Sequence, residues 1–321
     1  MKIIRSLEAA APEGRGTVVT IGNFDGVHLG HQEILRRAVA RAKADGLTPA
    51  VLTFDPHPAR VLAPERAPRL ITTTAQRLRR LEAAGVQTVL LAPFSREFAS
   101  LTPAEFADRI LRRTLHARVV MVGEDFRFGH KQAGNIGTLR ELGAKMGFAV
   151  EAIHDIHAGQ RSGGARISST SVRSLIEAGK VSRACRLMGA PFALEGPVVS
   201  GHGIGRTQTV PTLNLAAENE LLPRNGVYVT RTRIEGAGAT IPSITNVGVR
   251  PTFDGTGVSV ETFLLGEVAA QKLPGPGARI EVEFLAFVRD EKKFESPVAL
   301  KTRILRDVTL AKRVHAKTHV G

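Results

Sequence analysis

The chain holds one cysteine, Cys185, no tryptophan and one tyrosine, Tyr228, in 321 residues. A lone thiol closes no internal disulfide, and without a His-Glu-x-x-His motif beside it a zinc site finds little support. Phenylalanine supplies nearly all the aromatic content, 14 residues, so a single-stranded nucleic acid would meet few stacking platforms. No run approaches the roughly 18 apolar residues that a membrane span needs. The opening Met1-Lys2-Ile3-Ile4-Arg5-Ser6 lacks the apolar stretch of a secretory signal. Internal repeats and low-complexity tracts are also missing. These absences set the expectation of a cytoplasmic protein without a membrane partner.

What the sequence does have is positive charge, 44 Lys and Arg against 30 Asp and Glu, a net +14. Such an excess suits an anionic partner, whether nucleic acid, membrane surface or phosphorylated metabolite. The basic residues are dispersed in isolated pairs, Arg36-Arg37, Arg79-Arg80, Arg112-Arg113 and Lys292-Lys293. Each pair reads first as a solvated helix face. A basic nucleic-acid module is therefore the rival reading, and no nucleic-acid partner is expected.

The length is about twice that of a typical domain. From 17 to 153 short apolar runs alternate with segments of helical period, the pattern of βαβ units on a parallel sheet. Strands are expected at 17–21, 49–54, 88–91, 119–122 and 148–153. A helix is expected at 29–44, stopped by Gly46. Thr102-Pro103-Ala104-Glu105 is a capping box opening a helix through Leu111. Short helices follow at 171–178 and 182–188. After Gly189 the texture changes to extended segments at 192–199, 227–234, 241–249, 258–265 and 280–288, separated by Gly and Pro, as in a small antiparallel β-barrel. Ser296-Pro297 then opens a closing helix with Val298, Leu300, Ile304, Leu305, Val308 and Leu310 placed to pack. The expected class is α/β, with a boundary near 186–190 separating domains 1–186 and 187–321.

The most informative segment is Thr20-Ile21-Gly22-Asn23-Phe24-Asp25-Gly26-Val27-His28-Leu29-Gly30-His31, where the first long strand turns into a helix. Glycines let backbone amides approach a ligand, and the helix N-terminus favours phosphate. His28 and His31 stand three apart, on one face of the first turn. Nucleotidyl transfer needs in-line alignment and stabilisation of charge on the α-phosphate and departing pyrophosphate, which two histidine donors above a helix N-terminus supply. The second pair, His154 and His157, lacks glycines and reads as surface. The segment resembles the signature of the HxGH nucleotidyltransferase superfamily, with a Rossmann-like sheet, and Gly-Asn-Phe-Asp-Gly-Val-His-Leu-Gly-His is specifically similar to its FMN adenylyltransferase branch.

Further matches follow in the order of that family: Phe54-Asp55-Pro56-His57-Pro58, Gly123-Glu124-Asp125-Phe126-Arg127-Phe128-Gly129, and Ile167-Ser168-Ser169-Thr170-x-x-Arg173. All fall at strand ends or helix starts, where ligands bind in open α/β sheets. The resemblance implies that Gly22, Asn23, Phe24, Asp25 and Gly26, with Ser169, Thr170 and Arg173, bind ATP. It implies that Phe54, Asp55, His57, Pro58, Asp125, Phe126 and Phe128 meet the flavin. Read without it, Ser169 and Thr170 make an ordinary helix cap, and the phenylalanines are as readily core. Where the family commonly shows an arginine, this chain has His130-Lys131-Gln132, so a phosphate role there is either lost or passes to Lys131.

Beyond the boundary comes Gly196-Pro197-Val198-Val199-Ser200-Gly201-His202-Gly203-Ile204-Gly205-Arg206, then Pro211-Thr212-Leu213-Asn214. This is neither a Walker loop nor a dinucleotide fingerprint. Thr212 and Asn214 lie two apart, so in an extended segment both point the same way, two neutral oxygen ligands for Mg²⁺ beside a loop able to wrap phosphates. The segment resembles the riboflavin kinase motif ending Pro-Thr-x-Asn. Asn246-Val247-Gly248-Val249-Arg250-Pro251-Thr252-Phe253, Val260-Glu261-Thr262 and Phe287-Val288-Arg289-Asp290-Glu291-Lys292-Lys293-Phe294 agree in order. The resemblance implies ATP binding by Gly201, Gly203, Gly205, Arg206, Thr212 and Asn214, Mg²⁺ at Thr212 and Asn214, flavin contact by Arg289, and Glu261 as general base. On its own Glu261 reads as a strand residue facing water. Thr209, where glycine is usual, and the 269–277 stretch depart from the pattern.

The expected function is phosphorylation of riboflavin to FMN by the C-terminal domain and adenylylation of FMN to FAD by the N-terminal one. ATP serves as co-substrate for both, and no obligate protein partner is evident. An enzyme with only the nucleotidyl transfer, fused to a barrel of other purpose, is the enzymatic alternative.

Overall fold

In a computed structural model of the protein, residues 1–8, 16–153, 167–200, 212–252, 255–265, 274–292 and 297–318 are described. The phosphate-loop candidates Gly201, Gly203, Gly205 and Arg206, and the pair His154 and His157, lie outside them. The chain divides into two compact units, Met1–Ser169 and Thr170–Gly321.

The first unit carries a six-stranded sheet, β1 (Lys2–Ile4), β2 (Thr17–Ile21), β3 (Thr48–Asp55), β4 (Thr88–Pro93), β5 (Ala117–Gly123) and β6 (Ala149–Ile153). Every pairing is parallel, in the order β1-β4-β3-β2-β5-β6. The apolar runs are buried on both faces, as parallel strands covered by helices must be. The helices are α1 (Leu29–Asp45), α2 (Pro58–Leu62), α3 (Thr74–Ala83), α4 (Arg96–Ala99), α5 (Pro103–Glu105) and α6 (Ile136–Met146). Strand order reverses between β2 and β5, which opens a crevice at their carboxyl ends.

Local chemistry sets the helix limits. Gly46 caps α1 in the left-handed region at φ 66°, as its position promises. The Thr102 capping box is formed in both directions, but the helix continues as a π-helix over Phe106–Thr114. Thr114 Oγ1 donates to the Arg109 carbonyl at 2.9 Å and the Leu115 amide to Ile110 at 3.0 Å, both spanning five residues.

The second unit begins with α7 (Ser169–Glu177), whose first residue ends unit one, and α8 (Val181–Met188). The barrel strands are β7 (Phe192–Val199), β8 (Leu213–Leu215), β9 (Gly226–Ile234), β10 (Thr240–Thr252), β11 (Gly255–Leu264) and β12 (Arg279–Arg289). They close in the order β10-β11-β8-β7-β12-β9, with all pairs antiparallel. Composition put α8 before the boundary, yet it packs on the barrel. Ser182 Oγ donates to the Leu285 carbonyl at 2.7 Å and Cys185 Sγ to that of Phe284 at 3.3 Å.

Helix α9 (Pro297–Thr318) closes the barrel, but along a different stripe from the one expected. Val308, Ala311 and Val314 meet Val227, Val229 and Ile244, while Leu305 and Leu310 are 57% and 43% exposed. At 100° per residue Leu305 and Leu310 fall on opposite flanks of that stripe. Buried Asp307 anchors the same face through Arg289, whose Nε donates to its carboxylate at 2.8 Å, and through Arg303 at 3.1 Å.

Candidate functional sites in the two units

At the end of β2 the chain is pulled into a tight turn. Phe24 and Val27 both lie in the left-handed region, at φ 49° and 42°, a conformation that costs non-glycine residues about 1–3 kcal/mol each. Several bonds hold it. The Asp25 carboxylate, 3% exposed, accepts from the amides of Ile71 at 2.9 Å and Thr72 at 3.2 Å and from the Thr72 hydroxyl at 3.3 Å. The carbonyl of Asp25 accepts from Ser169 Oγ at 3.0 Å. Asp25 and Ser169, both ATP-site candidates, thus brace the loop.

His28 ends this loop as the N-cap of α1, its Nδ1 accepting from the His31 amide at 3.3 Å. The two rings stack at 3.7 Å and 17°. Burial pushes the His28 pKa from 6.5 down to about 4 and holds His31 well below its ordinary value, with the neighbouring His28 adding to the effect. Both rings are neutral near pH 7. With Nδ1 of His28 accepting, its proton sits on Nε2, which leaves that nitrogen as the ring's donor beside a helix N-terminus. The buried Nδ1 of His31 has no partner among the described residues. Gly30 makes room for the stack, because a Cβ there would lie 3.2 Å from Cε1 and Nδ1 of His28.

The flavin candidates separate. Phe128, 6% exposed, belongs to the core, whereas Phe54 and Phe126 are half-buried against it. Phe126 stacks on Phe128 at 5.5 Å and 12°, and Phe54 meets Phe94 at 5.5 Å and Phe98 at 5.9 Å. Phe94, Phe98 and Phe106 complete this aromatic chain and escaped the sequence reading, since they match no motif. Asp55 is exposed, its carboxylate accepting from Thr74 Oγ1 at 3.1 Å, and His57 Nδ1 caps α2 through the Ala59 amide at 3.2 Å, just before Pro58. Asp125 is exposed, folded over Gly123. Lys131 is exposed at φ 51°, followed by Gln132 at φ 58°. Thr170 and Arg173 sit in the first turns of α7, exposed and half-buried.

Also missed was α3, whose N-terminus carries a full capping box, Thr73 with Gln76. That Thr-x-x-Gln spacing was a legible signal. Arg77 and Arg80 of this helix donate to loop carbonyls, Arg77 Nη1 to Asn23 at 3.1 Å and Arg80 Nη1 to Gly26 at 3.3 Å. The expectation of a solvated Arg79-Arg80 face therefore holds for exposed Arg79 only.

In the second unit strand register does the assembly. Glu261 of β11 stands directly opposite Asn214 of β8 on one side and Asn246 of β10 on the other. Partners directly opposite share a face. Leu213 and Leu215 are buried, so Asn214 points to the other side of β8, as does exposed Thr212 just before it. A Cβ on Gly248 would lie 2.2 Å from Oε1 of Glu291, so this carboxylate lies over β10, one pleat beyond Asn246. Arg289 is committed to Asp307 of α9 and, at 3.0 Å, to the Asp290 carbonyl. Opposite this polar face, Thr230, Thr232, Ser243, Thr245 and Thr262 are fully buried and hydrogen-bond to one another.

Residues 10–171 match the FAD synthetase family and residues 188–315 the riboflavin kinase family. A bifunctional riboflavin kinase/FMN adenylyltransferase of Pseudomonas fluorescens is 38% identical, with 98% of each chain covered. That of Escherichia coli K12 is 36% identical, covering 99% of each. The chain belongs to the bifunctional riboflavin kinase/FMN adenylyltransferase family. It makes FMN from riboflavin and FAD from FMN, with the FAD synthetase region preceding the kinase region. A crystal structure described as a macrolide-efflux protein of Streptococcus pneumoniae superposes with a TM-score of 0.83 at 29% identity, covering 97% of this chain and 98% of that one. Among the described residues of this bifunctional enzyme no helix is long and apolar enough to cross a membrane.

Proposed function

We propose that the two reactions of this enzyme run on the two residue sets just described, each within its own domain, 1–186 and 187–321. In adenylyl transfer ATP lies with its phosphates against the loop 22–26 and the N-terminus of α1, and Ser169, Thr170 and Arg173 are assigned to it from their motif. FMN lies along the edge lined by Phe54 and Phe126, near Asp55, His57, Pro58 and Asp125. A phosphate oxygen of FMN bonds to the α-phosphorus as the bond to the β-phosphate breaks and pyrophosphate leaves. Nε2–H of His28 donates to the charge that builds there, and His31 stacks behind it. A neutral donor suits this task, because approaching phosphate raises imidazole basicity and strengthens the bond as charge grows.

In the kinase reaction Glu261 takes the proton of the ribityl 5′-hydroxyl as its oxygen attacks the γ-phosphorus and ADP departs. The loop bearing Gly201, Gly203, Gly205 and Arg206 is assigned to ATP phosphates from its motif alone. Thr212 and Asn214 offer neutral oxygens on one side of the strand, a donor set that fits Mg²⁺ already carried by phosphates, and no cluster of three acidic, His or Cys ligands occurs among the described residues. Bound there, Mg²⁺ would neutralise phosphate charge. Both reactions draw on ATP, which supports a cytoplasmic location.

The observation that carries the kinase assignment is the register that pairs Asn214 with Glu261, residues brought together only by the fold. Glu261→Gln and Asn214→Ala should stop FMN formation while supplied FMN is still converted to FAD, read by chromatography of the flavins. Unimpaired FMN formation in both variants refutes the assignment.

A further inference from the structure

Arg77 is 3% exposed, with its Nε buried and unpartnered, and among the described residues no carboxylate is in ion-pair reach of it. A guanidinium so placed is expensive, since the groups that hydrogen-bond to it are neutral carbonyls, and the carboxylates of Asp55 and Asp25 offset its lost hydration only from a distance. An apolar side chain would fill the same volume at lower cost. The two bonds it does make are therefore the informative feature. Nη1 donates to the Asn23 carbonyl at 3.1 Å, and Nη2 to the Phe54 carbonyl at 3.0 Å.

Those two carbonyls belong to different loops. Asn23 lies in the strained turn leading to His28, and Phe54 leads into the segment Asp55 to Pro58. The planar fork spans both at once, which a lysine ammonium on its flexible stem does not. In a trans peptide the carbonyl of Asn23 and the amide of Phe24 point in opposite directions. Drawing the carbonyl back to Arg77 thus turns the amide away from α3. Arg80, one turn on, does the same to the Gly26 carbonyl at 3.3 Å.

We infer that Arg77 is a positioning residue that locks the ATP loop and the flavin loop of the adenylyl-transfer site to each other, so that the geometry of each substrate's site depends on one guanidinium. Arg80 is bonded to the ATP loop through the Gly26 carbonyl. The inference rests on the assignment of these loops to ATP and FMN given above.

The test is steady-state kinetics of FAD formation by full-length Arg77→Lys and Arg80→Gln, with riboflavin phosphorylation by the same preparations as an internal control. Arg77→Lys is expected to raise KM for ATP and for FMN together, each about tenfold, and to lower kcat, because small misplacements of reacting groups carry large penalties. Arg80→Gln is expected to raise KM for ATP alone. A merely structural role would lower the unfolding temperature and the active fraction and leave both KM values unchanged. Both KM values within twofold of wild type in Arg77→Lys, or a rise in only one, overturn the inference. If Arg77→Lys does not fold, Arg77→Met, which keeps the packing and removes both bonds, decides on the same readings: a rise in both KM values upholds the inference, and a rise in neither or in only one overturns it. Failure of the underlying assignment shows separately, as undiminished FAD formation by His28→Ala.

Discussion

At the residue scale the buried imidazoles tie stability to pH. The folded-state pKa of His28, about 4, lies below the unfolded value of 6.5. The unfolded chain therefore takes up a proton that the folded chain refuses, and stability falls as pH drops from 6.5 to 4, with no contribution above that window. The shift corresponds to about 3 kcal/mol lost across it. His28→Gln should flatten the loss of unfolding free energy of the first unit between pH 6.5 and 4, followed by denaturant titration at several pH values. An unaltered pH dependence would show that His28 is not the buried neutral group described. Asp25 gives a second residue-scale expectation. Its carboxylate accepts from two amides and a hydroxyl in a buried turn, and Asn turns an NH₂ toward some of those donors. Asp25→Asn should destabilise the unit by about 2 kcal/mol, read from the same titrations.

At the scale of elements, the first turn of α1 sets stability and function against each other. Alanine at Gly30 favours the helix by about 0.5–1 kcal/mol, but its Cβ would crowd the His28 ring at 3.2 Å. Gly30→Ala should keep or raise the unfolding temperature, leave FMN formation unchanged and slow FAD formation by about tenfold. FAD formation at the wild-type rate would mean that the ring is not placed by the glycine. Why some elements were legible and others not follows from how they are stabilised. Strands β2 to β6 and helix α1 announce themselves through apolar period and a stop glycine. Strand β8 is three residues long, too short for any period, and exists because β7 and β11 pair with it. Helix α9 was legible as a helix, but its buried stripe was misread, because Asp307 and Ala311 face the barrel while two leucines face solvent. A buried ion pair to Arg289 cannot be seen from hydrophobicity alone.

At the scale of the molecule, composition changes texture near 186–190, while the first compact unit runs to Ser169 and the second starts at Thr170. Composition registers where strand-rich texture starts. It does not register that Val181, Ala184 and Met188 of α8 are fully buried in a helix bonded to β12. A fragment 170–321 should therefore unfold cooperatively and phosphorylate riboflavin, and be more stable than 187–321 by about 3 kcal/mol or more. Equal unfolding temperatures would mean that α8 adds nothing to the barrel. The motif residues proposed for the two sites stand out in the sequence because they are polar groups and glycines in fixed order. Arg77 and the Asn214–Glu261 pairing do not, since each depends on segments far apart in the chain.

One chain is thus proposed to hold two residue sets, each sufficient for one step. Full-length His28→Ala and Glu261→Gln, each given riboflavin, Mg²⁺ and ATP and then FMN, Mg²⁺ and ATP, test this most directly when the flavin products are separated by chromatography. His28→Ala is expected to convert riboflavin to FMN and stop there. Glu261→Gln is expected to leave riboflavin untouched yet convert supplied FMN to FAD at the wild-type rate. Loss of both steps in either well-folded variant, or FAD made from riboflavin by both, would contradict the proposal.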